Sequence, residues 1–222
     1  MTTVAYRPGL HADIYMPARP TGASVVLVHG GGFMVGSRRM APMRFVAAQL
    51  TSAGIAVCSI DYRRMLRLTE AVDDVRAALA FWRARTDRLG LTDHVALVGL
   101  SAGATLALLA AARDPVARLA CCFGLYEVDH LPRIYARLLF KTPDRSAWRF
   151  DAHPAAPTLL LHGDADRLVP VVQAHRLAAR REALGLPTRL VVYPGVRHGF
   201  LRRASPIAEA AARELVAHVG CA

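Results

Sequence analysis

Val95-Ala96-Leu97-Val98-Gly99-Leu100-Ser101-Ala102-Gly103, running on into Ala104-Thr105-Leu106-Ala107-Leu108-Leu109-Ala110-Ala111-Ala112, decides the fold. The stretch is apolar throughout but is interrupted by Gly99, Ser101 and Gly103, which excludes a membrane span and divides it into a short strand, a tight turn and a helix. A serine between two glycines on such a turn has a physical reason. The turn holds Ser101 in strained dihedrals with its hydroxyl exposed, and the glycines let neighbouring backbone pack close. The helix behind it directs unpaired N–H groups and the positive end of its dipole toward any negative charge that develops there.

Working outward, short β-branched runs stand at 25–29, 55–60, 95–99, 119–123, 158–162 and 189–193. Stretches with helical spacing lie at 42–53, 70–88, 102–113, 171–184 and 207–219. Gly54, Gly90 and Gly185 sit just past helix ends, where a left-handed cap is wanted. Strand and helix alternating in this way predict a mostly parallel, twisted sheet with helices on both faces. The run 12–16 alternates and predicts an antiparallel edge strand. With no repeat or linker, residues 1–222 read as a single α/β domain. Residues 127–157 carry Tyr135, Trp148, Phe150 and four prolines, too long a stretch for a simple connection, and predict a short lid over the carboxyl ends of the strands.

The 222 residues are 54% hydrophobic and 20% charged, with 16 Gly, 13 Pro and 4 Cys. These proportions exclude disorder, a collagen-like repeat and a disulfide scaffold. Net charge is +11, and every basic residue except Lys141 is an arginine. The arginines are scattered as singles and pairs such as Arg38-Arg39 and Arg202-Arg203, with no block and no nucleic-acid module, so no nucleic-acid partner is expected. The first twenty residues lack the apolar stretch of a secretory signal, and a cytoplasmic protein without membrane insertion is expected. Cys58, Cys121, Cys122 and Cys221 show neither CxxC spacing nor paired histidines, so they read as small buried thiols, with no metal site.

Three further motifs follow strands. His29-Gly30-Gly31-Gly32-Phe33 permits a backbone path with N–H groups turned toward a ligand oxygen; no Lys-Ser/Thr pair follows, so it is not a phosphate loop. With the Ala102 N–H such donors form an oxyanion hole, each worth about 3 kcal/mol. His162-Gly163-Asp164-Ala165-Asp166 and Gly195-Val196-Arg197-His198-Gly199-Phe200 then complete the chain order Ser, Asp, His. His11, His94, His153, His175 and His218 read as structural, whereas the glycine-flanked His198 does not.

These motifs, together with Asp61-Tyr62-Arg63, resemble the α/β-hydrolases. The resemblance is specifically to the HGGG group that includes hormone-sensitive-lipase-like carboxylesterases, bacterial feruloyl or acetyl xylan esterase-like proteins and kynurenine formamidases. It covers nearly the whole chain and implies the α/β-hydrolase fold. It further implies Ser101 as nucleophile, Asp166 as orienting acid, His198 as general base, and Gly31, Gly32 and Ala102 as oxyanion donors. Asp166 is preferred to Asp164 because the family pattern is H-G-x-x-D; Glu127 and Asp129 are weaker substitutes. Asp61-Tyr62-Arg63 runs into Arg64-Met65-Leu66 where hormone-sensitive-lipase-like members continue Leu-Ala-Pro-Glu, and HGGG arrives at residue 29, so their long N-terminal cap is not expected. Asp73 and Asp74 match an acidic helix start and read as structural. The implied activity is hydrolysis of small carboxylic esters through an acyl-enzyme without metal or organic cofactor. Phe33, Leu100 and Trp148 are expected beside the substrate. The alternatives are an arylformamidase using the same triad and a non-catalytic ligand-binding homologue.

Overall fold

The computed structural model describes residues 1–65, 67–128, 134, 137, 150 and 152–220. The strands are β1 (Thr2–Arg7), β2 (Leu10–Tyr15), β3 (Ser24–Val28), β4 (Ala56–Ile60), β5 (Val95–Leu100), β6 (Arg118–Cys122), β7 (Thr158–Gly163) and β8 (Thr188–Tyr193). The helices are α1 (Ala41–Ser52), α2 (Leu68–Thr86), α3 (Ala102–Ala111), α4 (Val172–Ala183) and α5 (Pro206–Gly220). Among the described residues the strands form one sheet in the order β1-β2-β4-β3-β5-β6-β7-β8. β1 pairs with β2 and β2 with β4 antiparallel, and every other neighbour is parallel.

The apolar runs are continuous because both faces of the sheet are covered. Along β3, Val26 and Val28 join one core and Val25 and Leu27 the other; along β5, Leu97 faces opposite to Ala96 and Val98. Buried residues of α2, α3 and α4 pack in the first core and those of α1 and α5 in the second, so the helices form a layer on each side. Trp82, fully buried on α2, donates its indole N–H to Ser24 at the start of β3 (3.0 Å) and fixes that layer to the sheet.

The strand expected at 12–16 forms as β2, but it lies second from the edge. The true edge is β1, whose Thr2 and Thr3 are exposed and whose six residues show no clean alternation, so its pairing with β2 supplies what its own sequence does not. Gly54, Gly90 and Gly185 take the expected positive φ after their helices. Cys58, Cys121 and Cys122 are free and buried, burial pushing the Cys121 thiol up to about 12; Cys221 lies outside the described residues. No helix among the described residues is long and apolar enough to cross a membrane.

Most of the expected lid at 127–157 lies outside the described residues, but α4 holds both of its ends. The Gln173 carboxamide oxygen accepts the N–H groups of Tyr126 (2.7 Å) and Glu127 (2.9 Å), and its NH2 donates to Glu127 O (2.8 Å). Farther along the same helix the Arg181 guanidinium, fully buried, donates to Pro154 O (2.9 Å), Ala156 O (3.1 Å) and Thr188 Oγ1 (2.9 Å).

Candidate active site

β3, β5, β7 and β8 are parallel, so the loops leaving their carboxyl ends share one edge of the sheet. The chain leaves β3 to one side for β4 and returns to the other for β5, which opens a crevice at that edge. Ser101 sits between β5 and α3 at φ 53°, ψ −121°, a region costly for a residue with a Cβ, on the order of 1–3 kcal/mol. The turn persists because its surroundings permit no alternative. A Cβ on Gly99 would lie 2.2 Å from Gly103 O, and one on Gly103 would lie 2.3 Å from Val28 O. The Ser101 N–H is meanwhile held by Cys122 O at 2.9 Å.

Ser101 Oγ lies 2.9 Å from His198 Nε2, and His198 Nδ1 lies 2.6 Å from Asp166 Oδ2. Asp166 Oδ1 accepts the N–H groups of Leu168 and Val169, both at 2.9 Å. Burial works to raise the Asp166 carboxyl, but hydrogen bonds from His162, His198 and the Val169 N–H outweigh it and hold the group well below the usual carboxylate range. Asp164 serves the loop instead of the triad, because its Oδ1 accepts the Gly195 N–H at 2.6 Å and ties the β7 loop to the loop that carries His198. Glu127 is engaged by Arg176 (2.8 Å) and Arg180 (2.6 Å), away from the triad, and Asp129 lies outside the described residues.

The glycine loop approaches the serine closely: a Cβ on Gly30 would lie 3.1 Å from Ser101 Cβ. Gly31 takes φ 121°, where a Cβ would meet Val35 O at 2.0 Å, and its carbonyl accepts the N–H groups of Met34 (3.1 Å) and Val35 (3.0 Å). Gly31 and Gly32 line the same cleft as Ser101. Ala102 opens α3, so its N–H has no carbonyl four residues back within the helix. Behind the loop, His29 is fully buried, with Nδ1 2.6 Å from Gly30 O. Burial pushes its pKa down to about 4, against the bond to Gly30, so the imidazole is neutral. Tyr62 stacks on it (ring centroids 4.2 Å apart) and donates its hydroxyl to His29 O (3.0 Å).

The rest of Asp61-Tyr62-Arg63 is structural. Asp61 accepts the Arg38 backbone N–H at 2.9 Å and pairs with its guanidinium, while Arg63 grips Asp74 through Nε and Nη2, both at 2.8 Å. Asp74 is therefore not a dipole partner at the start of α2. It is a buried anchor for Arg63 and Arg7, and Glu70 is the acid in the first helical turn.

The cleft over Ser101 encloses about 510 Å3 and is walled by Leu100, Phe123, Leu168 and Met43. Leu100 thus stands where it was expected. Phe33 does not line the cleft: at φ 64° in the turn closed by Gly31 O, it is packed in the core and 2% exposed. Phe150 is likewise buried, with its N–H to Tyr126 O (3.3 Å), and Trp148 lies outside the described residues. Two residues escaped sequence reasoning. Phe123 follows β6 at φ 42° and sets its ring edge-on to His198 at 5.0 Å. His162, 1% exposed, places Nε2 2.8 Å from Val169 O and 3.3 Å from Asp166 Oδ2; its position in H-G-x-x-D was the signal. Among the described residues no cluster of His, Cys, Asp and Glu could hold a metal ion.

A family model described as BD-FAE matches residues 12–128, more than half of the chain, and one described as the prolyl oligopeptidase family matches 142–216. Esterase LipC of Mycobacterium tuberculosis is 30% identical over 221 residues, covering 83% of this chain and 54% of its own length. The ethyl acetate hydrolase of Pseudomonas putida is 31% identical over 224 residues, covering 85% and 69%. The chain thus spans between about half and two thirds of those relatives. A thermophilic esterase from Thermogutta terrifontis with propionate bound superposes with a TM-score of 0.78 at 21% identity, over 97% of this chain and 92% of that one. A bacterial heroin esterase gives 0.77 at 22% identity, over 95% and 78%. With the Ser101 turn and the HGGG loop both falling within the matched segment, the chain belongs to the BD-FAE family of α/β-hydrolases.

Proposed function

We propose that the protein is a serine hydrolase of small carboxylic esters, with residues 1–222 acting as one α/β-hydrolase domain. The observation that carries the reading is the continuous hydrogen-bonded line from Ser101 Oγ through His198 to Asp166, at 2.9 and 2.6 Å, opening into the cleft. His198 Nε2 takes the Ser101 proton as Oγ bonds to the ester carbonyl carbon, and Asp166 steadies the imidazolium through Nδ1–H. The carbonyl oxygen becomes an oxyanion, received by the N–H groups of Gly31, Gly32 and Ala102. The C–O bond to the alcohol then breaks as His198 returns the proton to the leaving oxygen. Water repeats the sequence on the acyl-serine, releasing the acid and restoring Ser101.

The relatives named as ester hydrolases and the apolar cleft with Leu100, Phe123 and Leu168 support an ester with a small acyl group. An arylformamidase would use the same triad, and what favours the ester over it is the relatives named as ester hydrolases. The test is hydrolysis of p-nitrophenyl acetate, butyrate and octanoate by the wild type and by Ser101→Ala, with labelling by a serine-directed phosphonate. Turnover of the short esters, reduced about ten-thousand-fold or more in the variant, is expected. A folded protein that neither turns over an ester nor takes the phosphonate refutes the proposal.

A further inference from the structure

We propose that the cleft continues past His198 into an anion-binding subsite built on Arg202 and Arg203, so that the preferred esters carry a carboxylate or similar anion on the alcohol portion. This deepens the ester-hydrolase reading and rests on it. The cleft over Ser101 adjoins a second cavity of about 680 Å3, and the two share Ala41, Gly199 and Arg202 as common wall. Arg203 and Ser205 line the second cavity. The positive charge there comes from two guanidinium groups, whose forked N–H groups match carboxylate and phosphate geometry.

The side of the cleft fixes which part of the substrate meets these arginines. His198 must return a proton to the leaving oxygen, so the alcohol lies along the wall that His198 forms. Gly199 and Arg202 extend that wall, and the Arg202 stem runs past Gly199, where a Cβ would come within 3.8 Å of Arg202 Cδ. The turn that carries Arg202, Phe200–Arg202, is firmly seated. Leu201 is fully buried, and Phe200 packs against Phe123 (5.1 Å) and Tyr193 (5.3 Å). The fixed turn holds the base of the Arg202 side chain in place beside the cleft.

Charge balance sets this pair apart from the arginines that hold the fold together. Arg38 and Arg39 share Asp13, Arg63 has Asp74, Arg76 has Asp114 and Arg189 has Glu214. Among the described residues neither Arg202 nor Arg203 has a carboxylate within ion-pair distance, although both are exposed at the cavity. Ser205 does not add to the subsite, because its hydroxyl oxygen accepts the Ala208 N–H at 3.1 Å and caps α5. An uncompensated positive pair at a cavity mouth draws in anions and is screened by salt.

The test compares 4-acetoxybenzoate with its neutral counterpart 4-acetoxybenzamide, reading the ratio of their kcat/KM values within each protein. The ratio is expected to fall about fivefold in Arg202→Ala, further in Arg202→Ala/Arg203→Ala, and with added NaCl in the wild type. Arg88→Ala removes the same charge at the opposite, amino-terminal edge of the sheet, in the turn that leads to β5, and serves as the control. A ratio that holds in the double variant, or falls as much in Arg88→Ala, overturns the subsite while leaving the esterase reading in place. If neither ester is cleaved, the p-nitrophenyl esters and the phosphonate label still decide the esterase reading by themselves, and calorimetric titration with 4-hydroxybenzoate decides the subsite. Binding that the double variant loses and that 4-hydroxybenzamide does not reproduce supports it; absence of binding to the wild type overturns it.

Discussion

His162 Nε2 stands 3.3 Å from Asp166 Oδ2, the same carboxylate oxygen that receives His198 Nδ1–H at 2.6 Å. The buried imidazole of His162 thus braces the Asp166 carboxylate that holds His198, without reaching the cleft. His162→Phe keeps an aromatic ring, somewhat larger than imidazole, and removes that brace. Asp166 still accepts two backbone N–H groups, but it loses one charge-assisted contact and Val169 O loses its 2.8 Å partner, so a fall in kcat of about tenfold with KM held is expected. Steady-state kinetics on p-nitrophenyl acetate checks it, and a change confined to KM would contradict a positioning role.

Asp164 and Asp166 leave the same loop but face different partners. Asp166→Asn turns the His198 tautomer against catalysis, so a loss of about 10^3 to 10^4 in kcat is expected. Asp164→Asn weakens the tie to Gly195, with a loss of a few-fold at most. Equal losses from the two substitutions would break the assignment of Asp166 over Asp164.

The sheet, its helix layers and the meeting of Ser101, His198 and Asp166 at its carboxyl edge are legible in the sequence because each depends on short-range pattern. The triad residues follow apolar runs that can only be buried strands, and each is accompanied by glycines that a packed loop has no other reason to hold. What is not legible depends on where a side chain turns. Phe33 follows the glycines and reads as a cleft residue, but a positive φ directs its ring into the core. Asp74 reads as a helix-start carboxylate until Arg63 and Arg7 converge on it from distant strands and loops. β1 exists as an edge only because β2 pairs with it, and Phe123 becomes a wall of the site only when β6 lies between β5 and β7.

The strain at Ser101 makes a stability prediction independent of activity. Alanine must hold the same φ of 53°, whereas glycine holds it freely. Against that gain stands the extra freedom glycine gives the unfolded chain. Ser101→Gly is therefore expected to exceed Ser101→Ala in stability by about 1 kcal/mol. Urea unfolding of the two inactive proteins measures the difference, and an equal or reversed order would mean that the turn is not strained.

Arg181 is a buried cation with no carboxylate partner among the described residues; it is satisfied by two carbonyls and a hydroxyl that join α4, β8 and the segment before β7. Arg181→Ala leaves the Pro154 and Ala156 carbonyls without their donor and opens a void. A loss of about 3 kcal/mol is expected. Arg181→Lys, which has the charge but not the fork, should recover less than half of it. The readout is the denaturant midpoint at constant slope; full recovery by lysine would mean that charge alone matters there.

His29 gives the fold a pH dependence with a definite sign. In the unfolded chain an imidazole takes a proton near its ordinary pKa of about 6.5. In the folded protein burial holds the value down to about 4. Between those two values the unfolded state binds more protons, so stability falls as pH drops from about 6.5 toward about 4, by roughly 3 kcal/mol in all from this group. Above a pH of about 6.5 the contribution is flat. His218, also lowered by burial, slopes in the same direction, so the wild type alone does not isolate His29. His29→Gln, which never charges, removes only the His29 share. Unfolding free energies measured at intervals from about pH 7 to about pH 4 should therefore converge as pH falls, the wild type losing its advantage. Parallel curves would show that His29 is protonated as readily inside the protein as outside, the bond from Nδ1 to Gly30 O then offsetting the cost of burial.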